Sequence, residues 1–292
     1  MIRFKHQKMI TPKKLSSNYH RFDIPVEAKE EKWMFTCSDV HFDNPKCNRE
    51  LFFRHMDKAL ELDAMITITG DFFCLMQGAY DPRKSKSSIL PEHNEDNYLD
   101  LVINDAAERL IPYAKNIILI SRGNHETSVS KRNETDVMER FIERLNLLAD
   151  SNIQIGNYLG YYTLNFSYTK GGDNKPINVA YSHGHWGGIV TKGALSVMRY
   201  SAMFPDADIV FSGHTHDAFI MTQPRYKMSN KANRVQIEKQ WHVKTGTYKE
   251  EFAEGRGWAS ERIGVPKHLG GAFTKFYFQK NRPITFEITL TH

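Results

Sequence analysis

The first half of the chain alternates between two hydrophobic patterns. Short, continuous apolar runs are typical of buried strands, and they cover residues 33–37, 64–69 and 116–121. Apolar residues that recur every three or four positions indicate amphipathic helices, and they cover residues 46–62, 94–114 and 135–149. Because strands and helices alternate, the pattern predicts a parallel sheet built from βαβ units.

The second half of the chain is dominated by strand patterns. The predicted strands cover residues 161–168, 177–181, 207–211, 219–222, 241–245, 272–279 and 284–290. A helix is expected over 187–203, and the basic stretch 225–239 is expected to form an exposed hairpin. Since no linker divides the chain, we predict one domain over residues 32–292 with a two-sheet core flanked by helices.

Composition narrows the class of protein. The 292 residues are 40% hydrophobic and 25% charged, as in ordinary globular domains. The mean hydropathy is −0.53, and no apolar run approaches the ~20 residues of a membrane-spanning helix. The N-terminus lacks the apolar segment of a secretory signal. Three cysteines are an odd and sparse set, so we expect no disulfide framework and a cytoplasmic location.

The positive charge is concentrated at the N-terminus. Residues 1–32 contain eight Lys or Arg and four acidic residues, which leaves +4 of the net charge of +5 in this segment. We therefore treat residues 1–31 as a basic N-terminal extension. Such a segment can hold a nucleic acid. It can equally be a solvated tail, or a strand wrapped on the domain.

Candidate chemistry follows five of the predicted strands. Each strand runs into residue types that bind metal ions, in the segments 39–41, 70–71, 123–126, 183–185 and 213–216. Any one of these short motifs is a weak signal. Sites in open α/β sheets form at the carboxyl ends of strands, so all five segments can converge.

In this order, the five motifs resemble the calcineurin-like metallophosphoesterase superfamily. Its pattern is D-x-H, G-D, G-N-H-[DE], H-G and G-H-x-H, and the resemblance extends over residues 33–290. It implies a four-layer α/β/β/α sandwich of two mixed β-sheets flanked by helices. The insertions near 77–93 and 248–271 are similar to those of phage- or prophage-type members.

The resemblance also implies a dinuclear metal centre. One divalent ion would be bound by Asp39, His41 and His216. The other ion would be bound by Asn124, His183 and His214. Asp71 would bridge the two ions. His183 is preferred to His185 as the ligand because it precedes glycine. Mixed imidazole and oxygen ligands suit Mn, Fe, Zn, Co or Ni better than Ca, and abundance decides among them. We expect Mn²⁺, with Fe, Zn, Ni, Co or Mg as alternatives.

The implied reaction is hydrolysis of a phosphoester. A hydroxide between the ions would attack phosphorus in line. His125 would bind a phosphate oxygen and protonate the leaving group. Glu126 would orient that loop, or would be an ordinary loop carboxylate. His185 would support the site or contact the substrate.

The two insertions are the candidate substrate contacts. In the first, Arg83, Lys84 and Lys86 would grip additional phosphates, or would simply be a solvated basic loop. The second insertion, near 248–271, would be a lid over the site or an ordinary surface loop.

The substrate class stays open at this stage. A phosphomonoester or phosphodiester in a nucleotide or nucleic acid is favoured by the basic segments. A phosphatase of a small metabolite or protein is an alternative, although Phe72–Leu75 stands where Ser/Thr phosphatases carry x-x-D-R-G after G-D. A catalytically inactive, partner-binding scaffold is a third possibility. No membrane association is expected, and the sequence does not indicate an oligomeric state.

Overall fold

The computed structural model describes residues 10–75, 88–169, 175–185, 191, 193–229, 233–252, 265–279 and 282–291. The described strands are β1 Thr11–Ser16, β2 Tyr19–Val26, β3 Glu31–Cys37, β4 Met65–Thr69, β5 Ile117–Ser121, β6 Gln154–Gly156, β7 Leu159–Tyr168, β8 Lys175–Ser182, β9 Ile209–Ser212, β10 Phe219–Ser229, β11 Arg234–Lys244, β12 Ala272–Tyr277 and β13 Thr285–Leu290. The described α-helices are α1 Arg49–Glu61, α2 Tyr98–Leu110, α3 Asn124–Asn133, α4 Val137–Ala149 and α5 Ser196–Met203. No helix in these ranges is both long and apolar enough to cross a membrane.

The described strands form two mixed sheets. The large sheet has the order β1-β2-β7-β8-β9-β11-β10, and the small sheet has the order β13-β12-β3-β4-β5-β6. In the small sheet, β3, β4, β5 and β6 run parallel, while β12 and β13 are antiparallel additions. The parallel run confirms the predicted βαβ units.

Alternating side chains separate the layers. In β9, Ile209 and Phe211 point into the core between the two sheets, whereas Val210 packs on the opposite face with Tyr200 of α5. In β3, Met34 joins the core between the sheets, and Phe35 joins the core beneath α1, α2 and α4. Since successive residues of a strand face opposite sides, each sheet is covered on both faces. The structure therefore has the predicted four layers, α/β/β/α.

Helix α4 illustrates how local sequence specifies one of these layers. Its buried residues are Val137, Met138, Phe141, Ile142 and Leu145, spaced to form one apolar face. Asp136 caps the N-terminus, where its carboxylate accepts a 3.0 Å hydrogen bond from the backbone N–H of Glu139. The helix was predicted over 135–149, and the cap accounts for its start two residues later.

Part of the basic N-terminal segment is built into the large sheet. Strand β2 pairs in parallel with β7 along its whole length. Every second residue of β2 is buried, and these residues are His20, Phe22, Ile24 and Val26. This period of two is a strand signal that the sequence analysis did not use.

Four other elements, two helices and two strands, differ from the sequence expectations. Helix α3 begins inside the motif at 123–126, which was read as a loop. The strands predicted at 219–222 and 241–245 belong to two 11-residue strands, which incorporate most of the expected hairpin. Helix α5 begins at Ser196, so it is shorter at its start than predicted, and residues 186–190 and 192 lie outside the described part of the chain.

We expect acid to destabilise the metal-free fold through His20. Burial, with a smaller contribution from Lys14, lowers the pKa of His20 from 6.5 to about 4. Above pH 6.5 both folded and unfolded chains hold neutral imidazole. Between pH 6.5 and pH 4 the unfolded chain binds a proton that the folded chain excludes, which costs about 1–3 kcal/mol of stability.

Urea unfolding at pH 7 and pH 4.5, in the presence of a chelator, measures this effect. The His20→Leu variant should lose less stability than the wild type over that interval. An identical loss in both proteins would contradict the assignment.

Candidate metal centre

The loops that follow β3, β4, β5, β8 and β9 meet at one edge of the two sheets. Asp39, His41 and His216 each offer a ligand atom within 4.8 Å of the others. A second group with the same spacing contains Asp71, His183 and His214. The structure thus brings together side chains that are up to 177 positions apart, from Asp39 to His216.

In the first group, ring nitrogens and a carboxylate oxygen face one another. Nε2 of His41 lies 3.3 Å from Nε2 of His216. Nε2 of His216 lies 3.3 Å from Oδ1 of Asp39. Three atoms that can each donate an electron pair therefore point at a common space.

The second group has the same character and includes Asn124. Nε2 of His183 lies 3.0 Å from Oδ2 of Asp71 and 3.1 Å from Oδ1 of Asn124. Nδ1 of His214 lies 2.8 Å from the same Asn124 oxygen. Nδ1 of His183 lies 3.3 Å from the carbonyl oxygen of Thr69, a contact that leaves Nε2 directed at the group.

In each of the two aspartates, one carboxylate oxygen accepts hydrogen bonds and the other faces the histidine rings. Oδ2 of Asp39 accepts hydrogen bonds from Oγ of Ser38 at 2.5 Å and from the backbone N–H of His214 at 2.9 Å. Oδ1 of Asp71 accepts from the backbone N–H of His125 at 3.0 Å. The second oxygen of each aspartate faces the histidine rings.

Two buried atoms at the centre lack hydrogen-bond partners among the described residues. These are Oδ1 of Asp39 and Nδ1 of His41. An unpaired carboxylate oxygen in a buried site is costly unless a cation satisfies it. The donor set, imidazole nitrogen with carboxylate and amide oxygen, therefore fits divalent transition ions.

Electrostatics supports the same interpretation. Burial opposes ionisation of Asp71, but the neighbouring His183 and His125 outweigh it and hold the pKa of Asp71 well below its usual range. Burial acts against the charged form of His183 as well, yet Asp71 and Asp39 raise the pKa of His183 to about 9. Without an ion, a proton on His183 thus balances the carboxylates. A metal ion would replace that proton.

The backbone at the centre is unusual. Five of the seven candidate ligands have left-handed backbone conformations: Asp39, His41, Asp71, His214 and His216, with φ between 49° and 71°. Non-glycine residues rarely adopt this conformation, which costs of order 1 kcal/mol or more each. Strain concentrated at these positions is typical of a functional site.

Two motif glycines allow the loops to approach so closely. A Cβ atom on Gly123 would collide with Oδ1 and the backbone nitrogen of Asp71. A Cβ atom on Gly213 would collide with Oγ of Ser38 and Oδ2 of Asp39. The glycines therefore matter because another loop lies against them.

We expect Gly123→Ala to weaken metal binding about 10–100-fold, because the added methyl group must push Asp71 out of position. The same overpacking should cost about 1–3 kcal/mol of folding stability. Metal content after equilibrium dialysis and urea unfolding measure the two effects. Gly213→Ala should behave similarly through Asp39. Wild-type metal affinity in Gly123→Ala would show that the collision is relieved elsewhere.

His125 and Glu126 tie the second and third motifs together. Nδ1 of His125 bonds the carbonyl oxygen of Cys74 at 2.5 Å, and its Nε2 lies 3.8 Å from Oδ2 of Asp71. Glu126 is buried and accepts hydrogen bonds from the backbone N–H groups of Phe73 and Gly123, at 2.9 and 2.8 Å. Burial, and then Asp71, raise the pKa of Glu126 to about 8.

Other sequence-predicted residues lie apart from the two groups. His185 is exposed, whereas His183 is fully buried in the second group. Arg83, Lys84 and Lys86, and most of the insertions at 77–93 and 248–271, lie outside the described residues.

The sequence analysis missed a sixth supporting segment, which follows β11. Oγ1 of Thr247 and the backbone N–H of Tyr248 both donate to the carbonyl oxygen of Asp39, at 2.8 and 3.0 Å. Lys249 is paired with Glu251 at 2.7 Å and lies near enough to His41 to lower the pKa of that ring, after burial as the larger cause. The G-T-Y sequence after a predicted strand end was the available signal.

Comparisons with known proteins identify the family of the chain. The family model for calcineurin-like phosphoesterases matches residues 35–218. No curated protein matches the chain in sequence.

Several solved structures are similar to the chain at low sequence identity. A predicted phosphoesterase from Streptococcus pneumoniae is 12% identical, with a TM-score of 0.34, covering 90% of this chain and 100% of that one. Vps29 complexed with zinc from Entamoeba histolytica is 11% identical, with a TM-score of 0.34 and coverage of 88% and 98%. GAP50 of Plasmodium is 11% identical, with a TM-score of 0.39 and coverage of 89% and 84%.

The family match spans well over half of the 292 residues and contains all five strand-end motifs. The resemblance drawn from those motifs is thereby confirmed. The chain belongs to the calcineurin-like phosphoesterase family, which implies divalent metal ions as its cofactors.

Proposed function

We propose that the protein is a phosphoester hydrolase with a dinuclear centre of transition-metal ions, Mn²⁺ in preference to others. The observation that carries the proposal is the convergence of two groups of electron-pair donors. One contains Asp39, His41 and His216, and the other contains Asn124, Asp71, His183 and His214; we propose that Asp71 bridges the two ions. Imidazole nitrogens together with carboxylate and amide oxygens are typical ligands of divalent ions, and any proton on them is released when an ion binds.

The ions would supply a nucleophile and positive charge for the phosphoryl oxygens. The chain's own contribution is to hold the ligands. Backbone N–H groups of His125 and His214 fix one oxygen of Asp71 and one of Asp39. Two divalent ions bring four positive charges against these two carboxylates, so the centre stays attractive to a phosphate anion.

His125 is the proposed general acid. Its bond to the carbonyl oxygen of Cys74 fixes the ring and directs Nε2 to the side of Asp71. The side chain is 11% exposed, in contrast to the fully buried His183. A proton on Nε2 would be transferred to the leaving-group oxygen, while Nδ1–H keeps the ring oriented.

The loop that carries Cys74 is itself fixed. The carboxylate of Asp43 accepts hydrogen bonds from the backbone N–H groups of Cys74 and Leu75, at 2.5 and 2.9 Å, and from the hydroxyl of Tyr98 at 2.8 Å. A rigid support beneath His125 suits a residue that must transfer a proton at a defined position.

The substrate we propose is a phosphomonoester or phosphodiester of a nucleotide or nucleic acid. The basic N-terminal segment and the residues Arg83, Lys84 and Lys86 motivate this choice. A phosphatase of small metabolites remains the alternative. A protein phosphatase is disfavoured because Phe72–Leu75 lacks the arginine of that motif.

A metal-rescue assay tests the proposal. We expect the chelator-treated protein to be inactive, and Mn²⁺ to restore hydrolysis of bis(p-nitrophenyl) phosphate or p-nitrophenyl phosphate. Parallel assays with mononucleotides and with single-stranded and duplex DNA, at low and physiological salt, identify the substrate class. A protein that binds metal but hydrolyses none of these would contradict the proposal and favour the scaffold alternative.

A further inference from the structure

A third group of potential metal ligands lies beside the two that form the proposed centre. Cys74, His41 and His125 each offer one ligand atom, and these atoms lie within 4.8 Å of one another. His41 also belongs to the first group, but Cys74 and His125 belong to neither of the two groups described above. This group contains a sulfur atom, unlike the others.

Cys74 does not behave as a cysteine of the apolar core. It is fully buried, and its neighbours Phe73 and Leu75 pack in the core beneath the helices, but Cys74 is not part of that cluster. Cys37, by contrast, is a member of the cluster. The thiol of Cys74 is therefore directed away from the core, toward the polar side of its loop.

The charges around the sulfur favour a bound cation. The side-chain amide of Asn44 donates to Sγ of Cys74 at 3.2 Å. Burial raises the pKa of the Cys74 thiol to about 12; the carboxylates of Asp43 and Asp71 act in the same direction, and the ammonium of Lys249 acts against them. Two carboxylates against one ammonium favour a cation, which would displace the thiol proton.

We infer that Cys74, His41 and His125 form an alternative site, which overlaps the first group at His41, for a thiophilic divalent ion such as Cd²⁺ or Zn²⁺. Ligand atoms within 4.8 Å of one another can close on one such ion, whose bonds to sulfur and nitrogen are about 2.3 Å and about 2.0–2.1 Å for Zn²⁺. Binding breaks the S–H bond, releases that proton to solvent and forms a metal–sulfur bond, without electron transfer. The soft sulfur ligand separates this site from the nitrogen and oxygen groups that suit Mn²⁺.

Occupation of the site has a consequence for turnover, which rests on the proposed function. An ion bound to His125 takes away the electron pair that must carry the catalytic proton. Thiophilic ions should therefore inhibit the Mn²⁺-loaded protein. The binding itself does not depend on any activity, so it is measured first.

The test is titration of the full-length, metal-free protein with Cd²⁺, followed by the ultraviolet charge-transfer absorption of the cadmium–thiolate bond. We expect the band in the wild type and in the control Cys47→Ser, whose cysteine lies outside all three groups. Cys74→Ser should lose the band. The Cd²⁺ ion bound at this site should bind at least about tenfold more weakly in that variant. Persistence of the band in Cys74→Ser would overturn the inference.

A measurement without a variant covers the case in which Cys74→Ser does not fold. Cadmium NMR of the wild type should show one resonance shifted into the range of sulfur-ligated cadmium. Resonances confined to the nitrogen and oxygen range would overturn the inference. Inhibition of the Mn²⁺-loaded wild type by Cd²⁺, relative to its own starting rate, then tests the consequence for turnover.

Discussion

Asp71→Asn should lose both metal ions and reduce phosphoester hydrolysis by about 10³-fold or more. Asparagine keeps the shape of the side chain and one oxygen, but it removes the charge of the carboxylate that we propose bridges the two ions. Oδ2 of Asp71 is 3.0 Å from Nε2 of His183 and 3.8 Å from Nε2 of His125. Among the described contacts, no other carboxylate in the two groups has neighbours from both the third and the fourth motif.

Elemental analysis and the metal-rescue assay measure the two losses. The matched control is Asp217→Asn, because Asp217 is also nearly buried and forms an ion pair with Lys267 at 2.9 Å, yet it belongs to neither donor group. The control should retain its metals. Full activity in Asp71→Asn, or equal losses in both variants, would refute the dinuclear proposal.

His125→Ala should retain both ions. Its turnover rate on substrates with poor leaving groups should fall about 10²–10⁴-fold. This loss corresponds to roughly 3–5 kcal/mol of barrier. On p-nitrophenyl esters the loss should be smaller, because nitrophenolate needs little protonation. The ratio of the two losses is the signature of general acid catalysis.

The control for this experiment is His185→Ala, since His185 is exposed and belongs to none of the donor groups. It should change neither the metal content nor the leaving-group dependence. Loss of an ion from His125→Ala would make His125 a ligand of the centre. A uniform loss on all substrates would argue for a binding role.

Much of the site could be anticipated from the sequence because each motif follows a buried strand. The short apolar runs before Asp39, Asp71 and Asn124 are typical of buried parallel strands in the centre of a sheet. The carboxyl ends of such strands lie at the same edge of the sheet, so the motifs that follow them were expected to lie close together. The motif order then identified the family. The same runs predicted the parallel core of the small sheet, β3 to β6.

The parts that sequence reasoning missed have specific physical reasons. The basic and acidic residues around β2 obscured its strand pattern, although every second residue from His20 to Val26 is buried. Helix α3 starts at Asn124 with few apolar residues, so it has no amphipathic pattern to detect. The contacts of Asp43 and Thr247 with the motif loops depend on tertiary structure, and no local pattern encodes them.

The left-handed backbone limits how far thermal stability can be raised by substitution at the centre. The positions concerned are Asp39, His41, Asp71, His214 and His216. Glycine at any of these positions would relieve the local conformation, and screens for heat resistance would tend to select it. Such variants would gain thermal tolerance only by discarding a candidate metal ligand. Stabilisation of this protein should therefore be sought in the helical layers and the outer strands, away from the candidate metal ligands.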